Sequence, residues 1–131
     1  MTVIDSGTNT DSRTNTVPRT AEGWTAACAL DALVPGRGVA VLLRGGTQVA
    51  LFLLADGGLR AVGNIDPFGR AAVMSRGLVG ERAGEPTVAS PLLKQVFSLV
   101  DGRCLDDDTV GLGSFETSVV DGVIFVRGQS T

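Results

Sequence analysis

Asn64-Ile65-Asp66-Pro67-Phe68 and Val88-Ala89-Ser90-Pro91-Leu92-Leu93-Lys94-Gln95-Val96-Phe97 bound the stretch whose reading decides the fold. Each is a short proline-bearing loop beside an apolar run. Between them lies a polar connector, Ser75 to Gly84, that carries Arg76, Glu81 and Arg82. Gly69 to Met74 is expected to form a short helical turn. Thr87–Ser90 and Gln95–Leu99 read as two strands flanking a turn at Pro91.

Outward from this stretch the chain shows short apolar runs punctuated by turn residues. On the N-terminal side, Trp24 to Cys28 reads as a strand and Leu30-Asp31-Ala32-Leu33 as a helical turn. Pro35-Gly36-Arg37-Gly38 is a loop, and Val39 to Leu43 is a strand. Gly45-Gly46 then turns the chain into Val49 to Leu54, a strand apolar at nearly every position and so expected to be buried on both faces. Asp56-Gly57-Gly58 closes that hairpin onto Leu59 to Val62, because Asp-Gly tolerates the positive φ such turns require. Trp24 and Phe52 are expected in the core.

On the C-terminal side, Asp101-Gly102 is a hairpin turn and Asp106-Asp107-Asp108 an acidic, solvated corner. The corner lacks the alternating spacing of a calcium loop. Gly111-Leu112-Gly113 lacks the third glycine and following helix of a dinucleotide fingerprint, and reads as a turn before a strand. Phe115 to Val120 and Val123 to Arg127 pair about Asp121-Gly122, which sets Val119 opposite Ile124 and Thr117 opposite Val126. No segment keeps a 3.6-residue period over a dozen residues. Eight to ten short strands imply a small antiparallel sandwich or barrel.

Composition narrows the chemistry. The 131 residues suit one domain. Eleven basic against 14 acidic residues give a net charge of −3 and a pI near 4.8. No basic face or run is present to neutralise phosphates, so nucleic acid is not an expected partner. No apolar run reaches the roughly 20 residues of a membrane helix. No basic, apolar and small-residue succession marks a secretory signal, and a cytoplasmic location is the expectation. Thr, Ser, Asn and Asp supply 12 of the first 20 positions. Residues 1–21 therefore read as a disordered low-complexity tail, and residues 22–128 as the folded domain.

The sequence contains no histidine and no tyrosine. That removes a Ser-His-Asp triad, a Cys-His pair, an HExxH zinc site and a histidine-ligated iron–sulfur centre together. Cys28 and Cys104 lie too far apart in sequence for a metal-ligand motif and read as reduced, at least partly buried thiols. No catalytic residue and no metal ligand is expected.

The two proline loops and their flanking strands resemble a Rieske domain from which every iron ligand has gone. In that fold one loop carries Cys-x-His and the other Cys-x-x-His at one end of a three-sheet antiparallel sandwich. By this resemblance Asp66 and Ser90 stand at the cysteine positions, and Phe68 and Leu93 at the histidine positions. None is a thiolate or imidazole, so a 2Fe–2S cluster is not expected. Phe68 and Leu93 would fill the space, and Asp66 and Ser90 would hydrogen-bond loop amides.

More specifically, the chain resembles the small subunits of cytoplasmic NAD(P)H-dependent nitrite reductase. The matching pieces are the two loops, Ser75-Arg76-Gly77-Leu78-Val79-Gly80, Gly84-Glu85-Pro86 and Arg103-Cys104-Leu105-Asp106-Asp107. Leu30 to Gly38 and the Trp24 strand also fit, so the resemblance spans about residues 23 to 127. It implies an all-β Rieske-like sandwich of three small sheets and no cofactor in this chain. It also implies a partner, the large subunit, that carries FAD, an iron–sulfur cluster and siroheme and reduces nitrite to ammonia in nitrogen assimilation. This chain would be a non-catalytic subunit, inactive alone, that supports the assembly. Arg76, Arg82, Lys94 and Gln95 are the candidate interface residues, arginine being enriched at interface hot spots. The alternative is a stand-alone β-sandwich interaction module with no redox role. An electron carrier with unusual ligands is disfavoured by the identities of Phe68 and Leu93.

Overall fold

The computed structural model describes residues 23–92 and 94–128. The tail expected over residues 1–21, and Leu93, lie outside the described residues.

Gln48–Leu53 (β3) is the strand around which the rest is arranged. Alternate side chains leave a strand on opposite faces, and here both faces are covered. Val49, Ala50, Leu51 and Phe52 are all 0% exposed. Val49 and Leu51 join Leu33, Val41, Leu43, Ala61, Ile124 and Val126 in one core. Ala50, Phe52 and Leu54 join Val62, Met74, Val88, Phe97, Leu99 and Cys104 in a second core. The continuous apolar run is thus the signature of a strand between two cores.

β3 pairs antiparallel with Gly38–Leu42 (β2) and with Leu59–Gly63 (β4), and Ser114–Phe115 (β10) adds to the far side of β4. This four-stranded sheet, in the order β10-β4-β3-β2, is the middle layer. The first core lies between it and a sheet made of Trp24–Ala29 (β1), Thr117–Val120 (β11) and Val123–Arg127 (β12). The second core lies between it and a sheet made of Leu78–Arg82 (β7), Glu85–Ala89 (β8) and Val96–Ser98 (β9). A fourth, two-stranded ladder pairs Ile65–Asp66 (β5) with Ala71–Ala72 (β6) inside the first loop. The chain is therefore an all-β, three-sheet antiparallel sandwich with one small accessory ladder.

The C-terminal hairpin has the expected register, with Val119 opposite Ile124 and Thr117 opposite Val126. Asp121 and Gly122 both have positive φ, 52° and 79°, as a two-residue hairpin turn of the I′ kind requires. Leu30–Ala32 forms the expected helical turn, of 3₁₀ type.

Four expectations need correction. Residues 75–84 are not a polar loop: β7 runs through Leu78–Arg82 and pairs with β8 from Arg82↔Glu85 to Leu78↔Ala89. Its side chains are mostly exposed, so no alternation marks it; the strand exists because its backbone pairs with β8 and Val79 packs on the second core. Gly69 to Met74 is not a helical turn: it contains β6, and the 3₁₀ turn comes later, at Met74–Arg76. Trp24 is half-buried rather than core, with the Arg127 guanidinium 5.9 Å from its ring centroid. Twelve strands occur among the described residues, more than the expected eight to ten, because β5, β6 and β10 have only two residues each.

The double burial of β3 makes Phe52 the most exacting core position. Phe52→Ala should lower the unfolding free energy by about 3–5 kcal/mol, read as a lower midpoint in urea denaturation. A change within about 0.5 kcal/mol, the range of ordinary surface substitutions, would contradict the two-core arrangement.

Candidate functional site

β4 delivers the chain to the first loop. Gly63 ends that strand where a Cβ would lie 2.4 Å from the Leu112 carbonyl oxygen, so only glycine fits. Asn64 follows and is buried. Its side-chain oxygen accepts the Ser75 amide at 2.8 Å, and its side-chain amide donates to Gln48 Oε1 at 3.3 Å. The Met74 amide donates to its carbonyl at 3.0 Å. Asn64 thereby ties the start of the first loop to the start of β3 and to the 3₁₀ turn. Its sequence neighbours gave no sign of this role beyond its being a polar residue beside a strand.

The two proline loops are built alike. In the first, Asp66 precedes Pro67, its Oδ1 accepts the Phe68 amide two residues on at 2.8 Å, and the Arg70 amide donates to the Asp66 carbonyl at 2.6 Å. In the second, Ser90 precedes Pro91, its hydroxyl oxygen accepts the Leu92 amide two residues on at 3.2 Å, and the Lys94 amide donates to the Ser90 carbonyl at 3.0 Å. Each five-residue turn is thus capped by the side chain of its first residue and closed at its fifth. The fifth residue is left-handed in both, Arg70 with φ 57° and Lys94 with φ 62°. A non-glycine residue in that conformation costs about 1 kcal/mol.

The first residues of the two turns meet. The Ser90 hydroxyl donates to Asp66 Oδ2, and both residues are buried, at 1% and 0% exposure. The Gly69 amide adds a further bond to Asp66 Oδ1 at 3.2 Å. Across the gap the Leu92 side chain sits against Gly69, where a Cβ would lie 2.8 Å from Leu92 Cδ1. Phe68 turns inward onto the second core, its ring centroid 6.2 Å from that of Phe97. Burial pushes the Asp66 carboxyl up, but the Ser90 hydroxyl and the Phe68 and Gly69 amides outweigh it and hold the pKa below the ordinary aspartate range.

This donor set does not suit a 2Fe–2S cluster. Asp66 and Ser90 offer hard oxygens already spent on each other and on loop amides, and Phe68 offers none. Among the described residues no group of three or more His, Cys, Asp or Glu could hold a metal ion. Cys28 is on β1 and Cys104 is in the second core, both as free thiols.

The four interface candidates are dispersed. Arg76 ends the 3₁₀ turn and is exposed, and Lys94 is exposed at the end of the second turn. Gln95 is half-buried, and its carbonyl accepts the Ser90 amide at 2.9 Å. Arg82 lies on β7 and pairs with Asp106 at 3.7 Å, both side chains about half exposed. Asp106 Oδ2 also accepts the Val96 amide at 3.0 Å, and Asp107 accepts the Thr109 amide and hydroxyl. The acidic corner is therefore a set of turn caps. A second serine–carboxylate pair was not foreseen. Ser98 donates to Glu85, which Arg103 grips with both nitrogens at 2.9 and 3.1 Å while also bridging to Asp101. It braces the turn after β9.

Residues 23–127 match the family model of the Rieske-like [2Fe-2S] domain. A curated nitrite reductase (NADH) small subunit from Salmonella typhimurium is 45% identical over 106 residues, 80% of this chain and 97% of that protein. The chain belongs to the family of nitrite reductase small subunits. Its fold is shared with a crystal structure from Mycobacterium tuberculosis assigned as an NADH-dependent nitrite reductase small subunit. The two are 56% identical with a TM-score of 0.80, over 82% of this chain and 96% of the other. A Klebsiella oxytoca protein named nitrite reductase [NAD(P)H] large subunit contains a segment 40% identical over 106 residues, 81% of this chain and 11% of that protein. Among the described residues no helix is long and apolar enough to cross a membrane.

The depressed Asp66 pKa carries a pH signature. Its contribution to stability is complete above the ordinary aspartate pKa of about 3.9 and is lost as pH falls through the lower folded value. Asp66→Asn should be less stable than the parent at neutral pH, and the two urea midpoints should converge in acid. Ser90→Ala should cost about 1–3 kcal/mol by leaving Asp66 short of a donor. Parallel pH profiles for parent and Asp66→Asn would refute the assignment.

Proposed function

We propose that this chain is the cofactor-free, non-catalytic small subunit of a cytoplasmic NAD(P)H-dependent nitrite reductase. It would complete the assembly of a large subunit that carries FAD, an iron–sulfur cluster and siroheme and reduces nitrite to ammonia. The observation that carries this reading is the 45% identity along 97% of a curated small subunit. The occurrence of the same domain within a protein named as the large subunit supports association of the two: there they share one chain.

The chemistry of the loop end supports a role without redox chemistry. Asp66, Phe68 and Ser90 hold the loops closed through hydrogen bonds and ring packing, work that ligated iron does in a cluster-bearing domain. What remains for the chain to contribute is a preformed contact surface. The loop end, with Arg76, Lys94 and Gln95, is the surface assigned to the large subunit, and Arg82 flanks it from β7.

The test is co-expression with the large subunit, followed by co-purification and assay of nitrite-dependent NAD(P)H oxidation. The expected result is a complex whose activity exceeds that of the large subunit alone, with none from the small subunit by itself. The purified small subunit should be colourless and free of stoichiometric iron. Failure to associate, together with unchanged activity of the large subunit, would reject the reading. Stoichiometric iron with visible absorbance in the folded chain would reject the cofactor-free assignment.

A further inference from the structure

The two proline turns share more than their caps. Each ends, at its fifth residue, in an exposed cation on a left-handed backbone: Arg70 in the first and Lys94 in the second. Their first residues are joined by the Ser90–Asp66 hydrogen bond, and Leu92 of the second turn rests on Gly69, the residue before Arg70. The turns are therefore held side by side at one end of the sandwich. Neither Arg70 nor Lys94 makes an ion pair among the described residues. Four of the chain's carboxylates are engaged elsewhere. Asp66 is buried and accepts from Ser90, Phe68 and Gly69. Asp106, which caps the Val96 amide just beyond the second turn, pairs with Arg82. Glu85 and Asp101 are held by Arg103.

Glycine is the residue that suits such a backbone, and a long charged side chain is not. Leu92, two residues before Lys94 and resting on Gly69, is 48% exposed. The pattern is two unpaired positive charges flanking an apolar contact, on a chain of net charge −3.

We infer that Arg70 and Lys94 form a paired cationic clamp, centred on Leu92, that docks onto an acidic patch of the large subunit. This rests on the proposed assembly with that subunit. It adds Arg70, which nothing in the sequence pattern marked, to the loop-end candidates. The clamp supplies orientation as well as attraction: a positive tip on a net-negative body presents one end to a negative surface, raising the rate of productive encounter.

The test compares binding of the unsubstituted chain and of R70G, K94G and the double variant to the isolated large subunit, at low and high salt, with thermal melts of each. Glycine removes the charge and also relieves the backbone, so a merely structural role predicts stability and binding moving together. The clamp predicts them moving apart. Melting temperatures should stay level or rise, while the dissociation constant weakens about two- to fivefold for each single variant and further for the double variant. The double variant should also lose most of the salt dependence. R70E, which keeps the strained backbone and reverses the charge, should bind more weakly than R70G. Equal affinity and equal salt dependence across the series, with the unsubstituted chain binding, would overturn the clamp and leave the assembly intact. No binding by the unsubstituted chain would overturn the assembly and the clamp with it.

Discussion

Burial of β3 on both faces is the constraint on which the rest of the structure depends. A strand with Val49 and Leu51 on one side and Ala50 and Phe52 on the other cannot face water on either. It must be covered by a sheet on each side, and the chain supplies them from β1, β11 and β12 and from β7, β8 and β9. Hydrophobic burial is roughly proportional to area and carries no direction, so it sets the layers without choosing loop conformations. Those are chosen at the strand ends, by backbone fit and hydrogen bonds. Gly63, pressed against the Leu112 carbonyl, and Asn64, bonded to Gln48 and Ser75, turn the end of β4 into a fixed point from which the first loop departs.

The loop end is closed by polar chemistry. One hydroxyl and one carboxylate do there what ligated metal does in cluster-bearing relatives of this fold. Their success depends on full satisfaction: Asp66 accepts from Ser90, Phe68 and Gly69, and Ser90 itself accepts from Leu92. A buried carboxylate with fewer donors would cost more than it contributed. The same closure engages both carboxylate oxygens of Asp66 and the hydroxyl of Ser90. The proposed subunit role rests on a loop end closed by its own side chains.

The sequence showed the parts of this fold that local chemistry specifies. The last hairpin was legible to the register, because alternation from Phe115 and the Asp121-Gly122 pair leave one way to fold it. β3 was legible because an uninterrupted apolar run has few other fates. β7 was not. Its residues are polar or small and largely exposed, and they extend because β8 offers a ladder. The first loop's inner ladder of β5 and β6 was missed for a similar reason: two residues pair only once the Asp66 turn has brought them together. Trp24 looked like core by type, yet it lies at a sheet end under Arg127.

The candidate site divides the same way. By itself the sequence determined that no imidazole exists and that both cysteines lie outside the two proline loops. Those are facts of identity and order. Tertiary structure decided that Asp66 and Ser90, 24 residues apart, share a hydrogen bond. It also decided that their turns match in the cap at the first residue and the closure at the fifth, and that Arg70 and Lys94 both have left-handed backbone. Arg82, equally suggestive in sequence, pairs with Asp106 across a half-exposed contact. The reason is physical: identity limits what a residue can do, but partnership depends on which strands the two cores bring side by side.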